Sequence, residues 1–168
     1  NDDYFHNSVV FLSEYSKEGV VGFIVNKPLR FSINDLIDDF PQFDTTVYCG
    51  GPVEASNLYF IHRVPNKIKG SIPITNELYW GGNFGQIKDL ILTDQLSPND
   101  IRFFLGYSGW VEKQLEGELK RNAWLVADIE AEKEIMSTSH ETLWADYMRR
   151  QGGKYKAFAH FPKDPALK

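Results

Sequence analysis

Four groups of residues could support chemistry. The first is Gly106-Tyr107-Ser108-Gly109-Trp110, a serine between glycines in the stretch FFLGYSGWVEKQLEGEL. A hydrolase nucleophile elbow reads G-x-S-x-G, because glycines two positions either side let a strained turn lift the hydroxyl clear. Here the second glycine follows the serine directly, and tryptophan stands where the elbow requires glycine. The second group is Cys49-Gly50-Gly51-Pro52-Val53. A thiol attacks only as thiolate, and paired glycines can present backbone N–H groups to an anion or a peptide carboxylate. The third is His62, the candidate base for either nucleophile. The fourth is Gln114, Glu116 and Glu118. Gln114 and Glu118 are four apart and share a helix face, whereas carboxylates two apart do not face each other and make a poor acid–base pair.

These residues support two readings. The catalytic one, a hydrolase-like enzyme, needs the Cys49 thiol or Ser108 hydroxyl within about 3–4 Å of the His62 imidazole. The other assigns no catalytic residue: the glycines let the main chain turn sharply, and Gly50, Gly51, Pro52, His62, Tyr107, Trp110 and Gln114 form a surface for a partner or small ligand. Tyrosine and tryptophan suit such a surface because rings anchor a contact well. The binding reading is the stronger, since nothing in the context of His62, His140 or His160 orients a triad. No metal or cofactor is expected. His6, His62, His140 and His160 lack ligand spacing, Cys49 is the single cysteine, and the chain has neither a P-loop lysine nor G-x-G-x-x-G.

The elements that must position these residues follow from periodicity. Residues 7–13 and 20–26 read as a hairpin around the charged turn Glu14–Gly19, ended by Pro28. A short helix is predicted over 32–40, with Ser32 and Asp35 at its start and Ile33, Leu36, Ile37 and Phe40 inward. Strands are predicted at 47–49, 57–63, 101–107 and 123–128, with short ones near Pro73 and Trp80. Further helices are predicted over 84–96, 112–122 and 137–152. The last has a Thr138/Glu141 capping box, an apolar stripe at Leu143, Trp144, Tyr147 and Met148, and Gly152 as terminator. Ser108 then sits in a tight turn between strand and helix. Asn26 is expected to bond backbone across a turn.

The 168 residues are 42% hydrophobic with 12 Phe, 8 Tyr and 4 Trp, which supplies a core for one domain spanning 1–168, with a polar tail from about 162. A formal charge of −5 disfavours direct nucleic-acid binding. No apolar run approaches the ~20 residues of a membrane span, and a single cysteine favours a reducing compartment. The expectation is a cytoplasmic α+β protein with a curved, mixed or mostly antiparallel sheet and flanking helices. The chain begins at Asn1, directly before a hydrophobic strand, which suggests that residues precede it.

Three separated blocks resemble one known family. FFLGYSGWVEKQLEGELKRNAWL is similar to the signature of the YqgE/AlgH (UPF0301) family, SVVFLSEYSKEGVVGFIVNKPL to its first hairpin, and YCGGPVEASNLYFIHR to its GGPV segment. Together they cover most of 7–125. Tyr15 stands where many relatives have histidine, and Lys113 where they tend to have glycine. The resemblance implies a compact α+β fold with a strongly bent sheet and no assigned activity. Some members are labelled transcriptional regulators, which adds a third reading, regulation on DNA directly or through a partner, although this chain shows no helix-turn-helix and no basic recognition helix.

Overall fold

The computed structural model describes residues 4–129, 132–137 and 140–159. Two hairpin strands, β1 (Val10–Tyr15) and β2 (Gly19–Ile24), open the chain. They are antiparallel, with an irregularity between Leu12 and Glu14 that leaves Ser13 without a ladder partner. The second strand ends before Pro28, as the sequence predicts, but Pro28 itself rejoins a ladder. It opens β3 (Pro28–Ser32), because a proline at the first residue of a strand forfeits no ladder donor. The helix predicted over 32–40 shortens to α1 (Ile33–Leu36). Its start is as expected: the Asp35 carboxylate accepts from the Ser32 N–H and hydroxyl at 2.7 and 2.9 Å, which holds its pKa below the usual carboxylate range.

The middle of the chain supplies β4 (Thr46–Cys49), β5 (Val53–His62), β6 (Ile72–Pro73), β7 (Tyr79–Trp80), α2 (Phe84–Leu92) and β8 (Ile101–Val111). The strand expected over 57–63 reaches back to Val53. After β8 come α3 (Gln114–Lys120), α4 (Lys133–Met136), α5 (His140–Gln151) and α6 (Tyr155–Phe158). Residues 123–128, predicted as a strand, form no regular element: Val126 stays exposed, and the segment pairs with no strand. The Thr138 capping box and His160 lie outside the described residues. Gly152 follows α5 at φ 68°, the terminator conformation that glycine adopts without penalty.

The sheet order is β1-β2-β8-β5-β7-β6, with β4 pairing β3 and running parallel to β8. All other pairs are antiparallel. The architecture is α+β, with a strongly curled sheet and flanking helices. Strand β8 organises it. Ile101, Arg102, Phe103 and Phe104 are consecutively buried, so the strand is covered on both faces. Phe103 faces one core with Ile33, Phe40, Phe43, Phe60, Ile87 and Leu90. Phe104 faces a second with Phe23, Tyr48, Ile61 and Leu78, roofed by Ile135, Leu143 and Tyr147 of α4 and α5. A third, smaller cluster seats α3 through Leu115 on Val20 and Trp110.

Candidate functional site

Ser108 is not in a turn. Strand β8 runs through it, so the bend lies earlier, at Gly106, whose φ of 67° is left-handed. Before the bend β8 pairs with β4 and β5; after it, Gly22, Val21 and Val20 pair Ser108, Gly109 and Trp110. The FLGYSGW segment therefore passes from one half of the curled sheet to the other. The bend works because three glycines stack main chain on main chain. A Cβ on Gly50 would lie 2.2 Å from the Gly106 carbonyl oxygen, one on Gly51 2.3 Å from the Tyr107 carbonyl, and one on Gly106 2.5 Å from the Gly51 oxygen. Gly50 and Gly51 are buried, and the Gly50 carbonyl accepts from Ile24 N–H at 2.9 Å and from the Ser108 hydroxyl at 3.1 Å.

The proposed catalytic pairings are not assembled. Ser108 is fully buried, and its hydroxyl is spent on Gly50. His62 pairs with Ile101, whereas Ser108 lies seven residues further along β8, beyond the Gly106 bend. Cys49 pairs with Leu105, opposite Leu58, four residues from His62 on β5, about 13 Å at ~3.3 Å per residue. Burial raises the Cys49 thiol pKa, opposed by the Gly51 N–H and the charge on Lys27, so the thiol form is favoured. Among the described residues no group of His, Cys, Asp and Glu could hold a metal ion.

His62 is 0% exposed, and both ring nitrogens are engaged. Nδ1 accepts from Val64 N–H at 3.2 Å, which places the proton on Nε2, facing the Gly81 oxygen at 3.2 Å and Ser71 Oγ at 3.0 Å. The Ser71 hydroxyl itself donates to Ile68 at 2.7 Å. Burial lowers the imidazole pKa from its ordinary 6.5, partly offset by Gly81. The unfolded ring therefore binds a proton more readily than the folded one. The contribution of His62 to stability is complete above about pH 6.5 and falls as the pH drops below it. Denaturation midpoints between pH 7.5 and 5.5 should decline, and more steeply than in His62→Gln.

Trp110 and Gln114 share one network under α3. Glu118 accepts from Trp110 Nε1 at 2.9 Å, Trp124 Nε1 at 2.6 Å and Gln114 Nε2 at 3.0 Å. Burial opposes its charge, but the bonds from Trp124, Gln114 and Trp110 outweigh it and leave its pKa lowered. Gln114 Oε1 also accepts from Val111 N–H at 3.1 Å. The two indoles meet edge to face at 5.7 Å, with Phe5 against both. These side chains hold α3 to the sheet. Lys113 begins the helix at φ 62°. A left-handed side chain costs about 1–2 kcal/mol, against about 0.5–1 kcal/mol for glycine's extra flexibility. Lys113→Gly should therefore stabilise the protein by about 0.5–1 kcal/mol in urea denaturation. The ion pair it removes, to Glu112 at 3.1 Å, is highly exposed and adds little.

Asn26 behaves as its position suggests: its amide accepts from Val9 N–H at 2.8 Å and donates to the Asn7 oxygen at 2.9 Å.

The opposite face of β8 carries Tyr107, Gly109 and Val111. The Tyr107 ring lies over Gly109, 3.1 Å from where a Cβ would be, and meets Tyr59 edge to face at 5.5 Å. Beyond Val53, the ladder partner of Tyr107, residues 54–57 form a bulge over Gly106. In it Glu54 accepts from the Tyr59 hydroxyl and from Asn57 at 2.9 Å. Pro52 is exposed, and Tyr59 and Tyr107 are half-buried. The sequence singles out neither Tyr59 nor Glu54. Strand alternation does put Tyr59 opposite Phe60 and His62, but nothing in the spacing joins it to Tyr107.

The protein is thus a curled α+β sheet in which Ser108 and His62 are absorbed into packing while Tyr59 and Tyr107 stand half-buried at the rim. A family model described as AlgH-like (DUF179) matches residues 1–156, and the chain belongs to this UPF0301/AlgH family. It is 40% identical to a UPF0301 protein of Cytophaga hutchinsonii over 99% of this chain and 91% of that one. It is 39% identical to a UPF0301 protein of Parabacteroides distasonis over 99% and 84%. Its fold matches the crystal structure of protein DIP2367 from Corynebacterium diphtheriae, with a TM-score of 0.77, 21% identity, and coverage of 96% and 86%. It also matches the solution structure of AlgH from Pseudomonas aeruginosa, with a TM-score of 0.73, 23% identity, and coverage of 96% and 87%. Among the described residues no helix is long and apolar enough to cross a membrane.

Proposed function

We propose that this chain is a binding domain of regulatory type, acting as one unit without catalysis of its own, and that its recognition surface is the sheet face around Pro52, Tyr107 and Val111. One observation carries this reading. The Ser108 hydroxyl and the His62 ring are both buried and committed to hydrogen bonds, while the tyrosine-bearing face beside them stays open to solvent. Of the residues singled out from the sequence, Pro52 and Tyr107 supply contact. Gly50 and Gly51 hold the main chain that presents them, Trp110 and Gln114 tie α3 to the reverse face, and His62 supports the far end of β5. The lone cysteine suits a reducing compartment, so we assign the protein to the cytoplasm.

Site-specific cross-linking in the native host tests this. Val111 and Leu92 are each 71% exposed, but only Val111 lies on the proposed face. A photo-reactive residue at 111 should trap a defined partner, one at 92 should not, and Tyr107→Leu should weaken the trapping. For a small ligand, the same variant should remove a thermal shift seen in a metabolite screen. Equal trapping from both positions, or a ligand shift that Tyr107→Leu leaves unmoved, would sink the assignment.

A further inference from the structure

Resting on that binding surface, we infer that its partner presents a cationic side chain, an arginine or lysine, to the corner between Tyr59, Tyr107 and Glu54. Three features meet there. Tyr59 and Tyr107 meet edge to face at 78°, and both are half-buried, so the pair leaves part of its aromatic surface at the rim. A π face attracts a cation, most strongly where water is reduced. Beside it, Glu54 carries a charge that nothing neutralises: its hydrogen bonds come from Tyr59 and Asn57, both neutral, and it makes no ion pair among the described residues. Glu54 is also held at φ 46°, a left-handed conformation uncommon outside glycine, with its carboxylate at the Tyr59 hydroxyl.

The charge pattern extends across the face. Glu14 pairs with Val21, and Val21 with Gly109, so Glu14 shares the face of Tyr107, two strands across and two residues along, about 12 Å at ordinary strand spacing and rise. Glu14 is exposed and likewise forms no ion pair among the described residues. Two carboxylates thus flank a strip of Val21, Gly109 and Tyr107. An arginine stacks on a ring while bonding a carboxylate in one plane, so a basic segment lying across the strip would engage both. A neutral or acidic partner would leave both carboxylates without a counter-charge at a contact that excludes water.

The test is a backbone NMR titration of the full chain with capped tetra-arginine peptide, and with capped tetra-glutamate as control. Arginine peptide should shift amides of 53–59 and 107–111 first. Its affinity should fall about threefold to tenfold in Glu54→Gln, which keeps the acceptor, and in Tyr107→Leu, which keeps apolar volume. Asp89→Asn on α2 should bind as the parent does. Shifts spread evenly over acidic positions, equal affinity for Glu54→Gln and the parent, or no shift at all would overturn the inference. A partner trapped from position 111 that places no cation at Glu54 would overturn it too, while leaving the binding-domain reading intact.

Discussion

Gly50→Ala should lose about 3 kcal/mol or more of folding stability, and Gly51→Ala at least as much. The reason is spatial. The added Cβ at Gly50 would stand 2.2 Å from the Gly106 oxygen, 3.0 Å from Phe104 Cβ and 3.1 Å from a Phe23 ring carbon. The nearest obstacle is main chain and the others are fully buried rings, so no flexible side chain can yield. At Gly51 the contact is 2.3 Å to the Tyr107 main chain, and its φ of 153° adds strain. Domains of this size are stable by only about 5–15 kcal/mol, so either change removes a large share. Gly117→Ala is the control. It lies within α3, its nearest neighbour would be an Arg121 guanidinium nitrogen at 3.8 Å, and it should stabilise by about 0.5–1 kcal/mol. Urea denaturation of the three variants decides the matter. A Gly50→Ala protein with the parent's midpoint would refute the account of the β8 bend.

The second large effect is expected at Arg102, which is 4% exposed. It donates to the Val25 oxygen at 2.9 Å, to the Tyr48 hydroxyl at 3.3 Å and to the Ser137 oxygen, and its guanidinium lies 4.1 Å from the Tyr48 ring centre. Burial lowers its pKa to about 10, with Tyr48 acting in the other direction. No carboxylate pairs with it among the described residues. The cation is held by carbonyls and a π face, and its bond to Ser137 joins β8 to the C-terminal end of α4. Removing it leaves buried acceptors short of a donor and opens a void, for a loss of about 2–4 kcal/mol in Arg102→Ala. Arg102→Lys should fall between, because one ammonium cannot reproduce a planar fork reaching two carbonyls. Hydrogen exchange gives the discriminating readout. Amides of α5 should lose protection before those of β8, since α4 and α5 contribute Ile135, Leu143 and Tyr147 to the second core. Uniform loss across both would refute a pinning role.

Much of this was legible along the chain. The first hairpin, the Ser32–Asp35 helix start, the strand through Phe60, the α5 stripe ending at Gly152 and the bent α+β sheet follow from local pattern, because periodicity and capping act over a few residues. Two elements were misread for a common reason. Gly106 and Gly109 read as a turn, and 123–128 reads as a strand. Whether a glycine pair breaks a strand, and whether a β-prone segment finds a ladder, depends on what lies beside it. Partners 50–100 residues distant decide that: Gly50 and Gly51 for the bend, and the lack of a pairing strand for Val126.

The candidate site divides along the same line. Residue types alone determined that Ser108 sits outside the elbow pattern and that the histidines and the single cysteine lack metal-ligand spacing, and left Gly50 and Gly51 open between a turn and a binding segment. Only the tertiary structure decided which side chains remain available. It buried His62 and Ser108 at separate ends of the sheet, spent Trp110 and Gln114 on α3, and brought Tyr59, Glu54 and Tyr107 to one corner. Side-chain identity is written locally, but exposure and proximity come from register between strands, and a register exists only once the chain has closed on itself.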